Sequence, residues 1–445
     1  MNRQRVSLTL TLALLLLLAV TALAASGPAD TAAVTAAAPA AKQLAAAPAE
    51  FADGSLRLPD PAQLGVRSRA ALLPVTLEPA ADGQWGWSGQ LAADGTAVSL
   101  LLLAPDGANW QLALRAPDGR AVDMANTPGE AAAYGLEGMQ VPGTLYQLSS
   151  LRPGAWTLDV TAPAAGAGYV MLASDSPVQI YTHLTTHALL VGREIGLVTY
   201  AFDETDAAES GAPAALAAAQ EATLRLQLPN GAQRETRMFD DGRHADGAAG
   251  DGVFGATFVP ELAGSYRAQV LVRGAGSNGA EFLRSSEHVF PVLADALRLD
   301  AAQPVSALPL DANRLQLKLE GTLLAGLPGR VTAAAEVWGT DAAGQPVPVA
   351  WIGGLSETAV AEGRVTLPLT LDGRWIALAG AQAPFELRNV RVQDMATHVP
   401  LAQLERVPLQ VRALPQGALA PIEAATDDMR MGPRPAAAPA PEANG

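Results

Sequence analysis

The amino-acid sequence predicts an all-β protein built from tandem β-sandwich domains, with a disordered Ala/Pro-rich segment at each end. Short apolar or alternating runs recur through the middle of the chain, and each is bounded by Gly, Pro, Asn or Asp. No long stretch shows the 3.6-residue period of an amphipathic helix. Residues 25–48 and 413–445 are rich in Ala and Pro and contain few large apolar side chains, so we predict that both are disordered.

The N-terminal residues predict export. Arg3 and Arg5 precede an apolar run from Leu8 to Val20, and Ala22-Leu23-Ala24 has the small residues of a cleavage site. We therefore assign residues 1–24 to a secretory signal peptide. The alternative is a membrane anchor, but the apolar run is shorter than the ~20 residues that a span needs. The mature chain is expected in the periplasm, or secreted to the cell surface, with no membrane span.

Cysteine content and charge restrict the classes of site and partner. The chain has no cysteine, which excludes disulfides, thiolate metal sites and a lipid-anchored N-terminus. Export of a long chain without cysteine fits a bacterial envelope protein. The net charge of -15 becomes -17 when the signal peptide removes Arg3 and Arg5 and no acid. Nucleic acids and anionic membranes bind clusters of Lys and Arg, so we expect neither as a partner.

The first predicted domain spans residues 56–190 and follows a disordered linker at 25–55. Val98 to Leu103 is a continuous apolar run, as in a buried strand. The turn tetrapeptide Ala-Pro-Asp-Gly ends this run at residues 104–107 and occurs again at 116–119. Strand patterns continue at 144–148, 153–160, 169–173 and 177–182, which is typical of a β-sandwich, here jelly-roll-like.

The second predicted domain spans residues 191–293 and has the strand spacing of an immunoglobulin-like (Ig-like) sandwich. Residues 223–228 alternate strictly and end on Pro229-Asn230-Gly231, and residues 264–272 alternate again. A long connection lies between these strands. We call residues 239–255, with the sequence FDDGRHADGAAGDGVFG, the aspartate loop.

Four carboxylates crowd the aspartate loop, and its glycines allow tight turns at positive φ. Hard oxygen ligands at short spacing predict a Ca²⁺ site, although the spacing differs from that of an EF-hand. The alternative is that the aspartates accept hydrogen bonds from loop amides in Asx-turns and bind no metal. If calcium is bound, His244 is a bystander, because imidazole is a poor calcium ligand. The predicted metal ligands are Asp240, Asp241, Asp246 and Asp251.

The order of strand, D-D-G-x-x-H-x-D-G-x-x-x-D-G-V-F-G, strand and G-S-Y-R-A-Q-V resembles a known Ig-like domain. That domain accompanies choice-of-anchor and von Willebrand type A domains in bacterial surface proteins. With its flanking domains, the chain resembles the exported bacterial domain-of-unknown-function family 4785, which has three β domains. The resemblance implies the fold and an envelope location, and it brings no activity with it.

The third predicted domain spans residues 294–412, and a disordered tail follows at 413–445. Residues 314–320 and 364–371 alternate, so this domain is also expected to be all-β. Pro368 within a strand pattern predicts an edge strand or a bulge. Three tryptophans suit a carbohydrate platform, but buried core positions are the favoured interpretation. They are Trp338, Trp351 and Trp375.

The sequence contains no motif that pairs a nucleophile with a base, and no nucleotide fingerprint. His183 and His187 are four residues apart but lack an acidic partner, so strand positions are favoured over a zinc site. We therefore predict a noncatalytic envelope protein, with no catalytic residues, that binds an unidentified macromolecule, protein or glycan. Calcium is its predicted cofactor. The alternatives are a structural spacer, an envelope hydrolase acting on sugars or peptides, or an accessory subunit of such a hydrolase.

Overall fold

A computed structural model describes residues 56–80, 83–122, 124, 127–135, 140–148, 151–206, 214–216, 219–276 and 278–414. These residues form mostly β-strands, which confirms the predicted fold class. The predicted signal peptide, the predicted linker up to residue 55 and the predicted tail from residue 415 lie outside the described residues. No helix within the described part of the chain is long and apolar enough to cross a membrane. The chain forms two compact units, Pro59–Val292 and residues 293 onward together with the described residues 56–58.

The first unit begins with a 3₁₀ turn at Pro61–Gln63 and contains two sandwiches. Its strands are β1 (Val66–Ser68), β2 (Ala70–Thr76), β3 (Glu78–Pro79), β4 (Trp85–Ala93), β5 (Val98–Leu103), β6 (Gln111–Arg115), β7 (Ala121–Val122), β8 (Glu130–Tyr134), β9 (Val141–Leu148), β10 (Gly154–Ala162), β11 (Ala167–Ser174), β12 (Val178–Leu184), β13 (Ile195–Asp203), β14 (Ala219–Gln227), β15 (Gln233–Arg237), β16 (Val253–Phe258), β17 (Gly264–Ala275) and β18 (Glu281–Val292).

The first sandwich consists of the sheets β2-β11-β5-β9-β8 and β3-β4-β10-β6-β7. Alternate residues of both sheets, such as Leu100 and Leu158, are fully buried in one core. The strand β5 lies at the centre of its sheet, and its other face is buried as well, where Leu101 and Leu103 pack against Met171. Burial on both faces explains why the strand is a continuous apolar run instead of an alternating one.

The second sandwich consists of the sheets β1-β12-β13-β16 and β15-β14-β17-β18. We expected the strand near residues 177–182 in the first sandwich. In the structure β12 pairs antiparallel with β13, with Thr182 opposite Thr199, and therefore belongs to the second sandwich. The strand pattern was correct, but this strand pairs with the strand that follows it and not with those that precede it. The aromatic side chains of Phe258, Tyr266 and Phe290 stack within this sandwich.

The two sandwiches of the first unit share a buried interface. The strand β18 packs against β2 and β4, and Leu283 of β18 is part of the core of the first sandwich. Polar bonds add specificity: the Gln269 amide donates to the Leu72 carbonyl at 2.7 Å, and Ser285 Oγ accepts from the Leu72 amide at 2.7 Å. Arg284 is buried and donates to Ser174 Oγ of β11 at 3.2 Å. The first and second sandwiches are therefore fixed to each other.

The second unit is one sheet in the order β23-β22-β26-β27-β20-β21-β25-β24, with β19 paired to β21. The strand β23, at one end of this order, also contacts β25, near the other end, which shows that the sheet curves back on itself. At this contact Ser356 Oγ donates to the Pro368 carbonyl at 3.3 Å. Its elements are β19 (Leu297–Leu299), β20 (Val305–Pro309), β21 (Arg314–Leu323), β22 (Arg330–Thr340), β23 (Pro346–Glu357), β24 (Ala359–Ala361), β25 (Arg364–Asp372), the helix α1 (Arg374–Leu378), β26 (Gln382–Asp394) and β27 (Pro400–Val411).

The positions of Pro368 and the tryptophans follow from this sheet. Pro368 pairs with Lys318 of β21, whereas β24 pairs with β25 only at residues 364–366, so Pro368 lies where the described sheet has an edge. Trp375, a residue of α1, is buried, as the core interpretation predicted. Trp338 is half-buried and Trp351 is 38% exposed, so these two are not core residues.

Candidate functional site: the aspartate loop

The aspartate loop connects β15 to β16 at one end of the second sandwich. Its base is closed by a two-residue bridge, in which Phe239 and Gly255 exchange both backbone hydrogen bonds at 2.8 Å. Gly255 permits a close crossing, because a Cβ at this position would lie 2.0 Å from the His244 carbonyl oxygen. The turns at Gly247 and Gly252 have φ of 94° and 82°, which glycine adopts without strain.

Asp246 is the most buried side chain of the aspartate loop, with 3% of its surface exposed. Its Oδ2 accepts from the amides of Asp241 at 2.6 Å and Gly242 at 2.7 Å, and its Oδ1 accepts from the His244 amide at 2.9 Å. Burial raises the pKa of Asp246, but these amides outweigh burial and hold its pKa below its usual range. The carboxylate is therefore the centre around which residues 241–246 turn.

Asp240 has the same role for the second half of the loop. Its Oδ1 accepts from the amides of Gly250 at 2.7 Å and Asp251 at 3.2 Å, and its Oδ2 accepts from the Gly252 amide at 3.0 Å. Asp251 accepts from the amides of Val253 at 3.0 Å and Ala248 at 3.3 Å. The aspartates thus satisfy backbone donors that would otherwise be unpaired in so tight a loop.

The geometry of the carboxylates bears on the predicted calcium site. Each carboxylate faces its own set of backbone amides, and no three His, Asp or Glu side chains of the described residues converge where they could hold a metal ion. The donor set fits the Asx-turn interpretation better than the metal interpretation, because amides already engage the oxygens that calcium would need. Calcium binding by Asp240, Asp241, Asp246 and Asp251 stays a prediction.

His244 has a structural role that the sequence did not predict. Its Nδ1 bonds to Asp241 Oδ1 at 2.9 Å, and this hydrogen bond lowers the pKa of Asp241. Its ring stacks on Phe239 with centroids 4.7 Å apart and planes inclined by 26°. The Arg237 guanidinium lies 5.9 Å from the Phe239 centroid. Phe239 is 38% exposed. We call Arg237, Phe239 and His244 the Phe239 surface.

His183 and His187, which lie four residues apart in sequence, have different hydrogen-bond partners. His183 Nδ1 lies 3.0 Å from the Leu184 carbonyl oxygen. His187 Nε2 lies 2.9 Å from the Pro59 carbonyl oxygen. Each imidazole therefore has its own backbone partner. His183 lies in β12 as predicted, whereas His187 lies beyond the end of that strand.

The fold and the loop together define a protein with three tandem Ig-like domains. Three segments match models of the Ig-like domains of conditioned medium factor: residues 70–173 match the first, 178–292 the second and 332–433 the third. Conditioned medium factor of Dictyostelium discoideum is 35% identical over 191 residues, a match that covers 41% of this chain. The match spans only 26% of that protein.

A solved structure shows the same fold. A DUF4785 family protein from Legionella pneumophila aligns over 78% of this chain and 90% of its own length, with a TM-score of 0.50 and 14% identity. This likeness supports the predicted three β domains. The resemblance to choice-of-anchor and von Willebrand type A-associated domains, and the bacterial origin, stay predictions.

Proposed function

We propose that this protein is an exported, noncatalytic binding module that recognises an envelope or extracellular macromolecule, protein or glycan. Tandem Ig-like domains support this proposal, because they provide rigid sandwiches with loops available for recognition at their ends. The name of the Dictyostelium relative, conditioned medium factor, supports export. The first two domains act as one rigid body, held by their buried interface.

The observation that carries the proposal is the Phe239 surface on a loop that is already ordered. Asp240 and Asp246 each accept three backbone hydrogen bonds, which fix both halves of the aspartate loop. A fixed loop loses little conformational entropy when it binds. Exposed aromatic and Arg side chains contribute most strongly to binding interfaces. The stacked Phe239, with Arg237 above it, is therefore the proposed centre of the interface.

A capture experiment tests this assignment. Immobilised mature protein is incubated with envelope extract, with calcium or with EDTA, and bound material is identified by mass spectrometry. We expect capture by wild type and by Leu262→Ala, and loss of capture by Phe239→Ala. Leu262 is the matched control, because it lies in the same domain and is also 38% exposed. Equal capture by all three proteins would contradict the assignment of the Phe239 surface.

Calcium at the aspartate loop is a separate part of the proposal. A bound ion adds stability as RT ln(1 + [L]/Kd), so a tenfold excess over Kd gives about 1.4 kcal/mol. Calcium would then raise the melting temperature (Tm) of wild type, and Asp246→Ala and Asp251→Ala would abolish the rise. If the wild-type Tm is the same in calcium and in EDTA, the hypothesis of a calcium site is wrong, and the interpretation of a loop held by its own amide hydrogen bonds stands.

A further inference from the structure

Glu336 of the third domain is buried where its strand position predicts exposure. Val331, Ala333, Ala335 and Val337 of β22 have no exposed surface and point into the core. Because strand side chains alternate, Glu336 belongs to the outward face of the sheet. Nevertheless it is only 1% exposed. Another part of the chain must therefore cover this carboxylate.

The carboxylate of Glu336 is satisfied by three neutral donors. Its Oε1 accepts from the backbone amide of Leu56 at 2.6 Å and from the Asn389 side-chain amide at 2.8 Å. Its Oε2 accepts from the Trp338 indole at 3.0 Å. The nearby Arg388 forms no ion pair with it, and instead stacks over the Trp338 ring at 4.0 Å and pairs with Glu386. A buried carboxylate depends on each of its hydrogen-bond donors.

The sheet is locally distorted around Glu336. The pairing of β22 with β26 shifts register between Ala334 and Glu336. Asn389 of β26, next to this shift, has a φ of 50°, which is uncommon for a residue other than glycine. This conformation accompanies an Asn389 side chain that donates to Glu336. Two of the three donors thus come from the domain itself, and the third comes from a residue 280 positions away.

We propose that the outward face of β22 at Glu336 is a docking site for the N-terminal segment of this same chain. Residues 56–58, which belong to the second unit, are the part of that segment that the structure describes. The Leu56 amide supplies the donor that Glu336 lacks, and the segment seals the carboxylate from water. We call residues 56–58 the strap. Release of the strap exposes Glu336 and leaves its Oε1 with one protein donor fewer.

The bond between the strap and Glu336 uses a backbone N–H, which every residue except proline can supply. The occupant is therefore selected by its covalent attachment, which gives a high local concentration near its own third domain. Fifty-five residues precede Leu56 in the full sequence, of which residues 25–55 stay in the chain after the predicted cleavage.

Hydrogen exchange of the mature full-length protein tests the strap. We expect the Leu56 amide to exchange about 10- to 100-fold more slowly than in an unstructured peptide, the range that a hydrogen bond to a charged acceptor supports. Glu336→Ala should remove this protection, and Glu336→Gln should keep part of it. The matched control is Glu357→Ala, on the neighbouring strand, where the Glu357 side chain is 79% exposed. In Glu357→Ala the Leu56 amide should exchange at the wild-type rate.

A second variant leaves the third domain unchanged. Leu56→Pro removes the donor amide itself, so the test needs a second readout that this variant and Glu336→Ala share. Trypsin cleavage after Arg57, followed by mass spectrometry, should be about 10-fold faster in Leu56→Pro and in Glu336→Ala than in wild type. Fast exchange of Leu56 in wild type would overturn the proposal. Protection that grows with protein concentration would also overturn it, because the occupant would then be the segment of another copy.

Discussion

Replacing Asp246 with alanine tests how the aspartate loop is held together. The side chain is 3% exposed and accepts three backbone amides at 2.6, 2.7 and 2.9 Å. The substitution leaves the amides of Asp241, Gly242 and His244 without their acceptor. A hydrogen bond to a charged group contributes about 1.5 kcal/mol at the lower end of the measured range, so three of them give about 4.5 kcal/mol. The free energy of unfolding should fall by about that amount.

The assay is thermal unfolding in EDTA, followed by circular dichroism. For a unit of this size each kcal/mol lowers Tm by about 2–4 °C, so Asp246→Ala should lower Tm by about 10 °C. The control is Asp251→Ala, because Asp251 is exposed and accepts only two loop amides, at 3.0 and 3.3 Å. We expect it to cost about 1 kcal/mol. Equal Tm losses in the two variants, or a loss below 2 °C in Asp246→Ala, would refute the reasoning.

The remaining predictions concern pH, the domain interface and the metal. Burial, with the nearby His183, lowers the pKa of His288 to about 4 from 6.5, so the fold stabilises its neutral form. The contribution of neutral His288 to the free energy of unfolding is therefore fully present above about pH 6.5, and about 3 kcal/mol of it is lost as the pH drops to about 4. His288→Gln should flatten this part of the pH–stability curve. Arg284→Ala should cost about 3 kcal/mol in urea unfolding, because it empties a buried site beside Asp94, whereas Arg273→Ala, whose exposed side chain bonds to Gln90, should cost under 1 kcal/mol. If the predicted calcium site exists, EDTA lowers the Tm of wild type but not of Asp246→Ala; equal Tm values for wild type with and without EDTA would contradict it.

Local sequence patterns were sufficient to predict the fold class and most strands. The alternation at residues 223–228 and 314–320 appears in the structure as β14 and β21. The assignment of β12 to the first sandwich was wrong, because β12 pairs with β13, the next strand along the chain, and so begins the second sandwich instead of ending the first. The burial of Glu336 could not be predicted from the sequence, because two of its hydrogen-bond donors lie 53 and 280 positions away along the chain.

The aspartate loop shows the limit of motif analysis at the candidate site. Clustered aspartates and glycines are compatible with a metal site and with Asx-turns, so the same residues predict both. The structure is needed to show that Asp246 and Asp240 each accept hydrogen bonds from three backbone amides. The stacking of His244 on Phe239 was not predicted, because the stack depends on how the loop folds back onto its own base.

Amide hydrogen exchange across the aspartate loop, measured in EDTA, is the most direct test of the claim that the loop orders itself and presents the Phe239 surface. We predict that the amides of Asp241, Gly242 and Gly252, which donate to Asp246 or Asp240, exchange slowly without calcium. Exchange of these three amides at unstructured rates in EDTA, with protection only after calcium is added, would contradict the account.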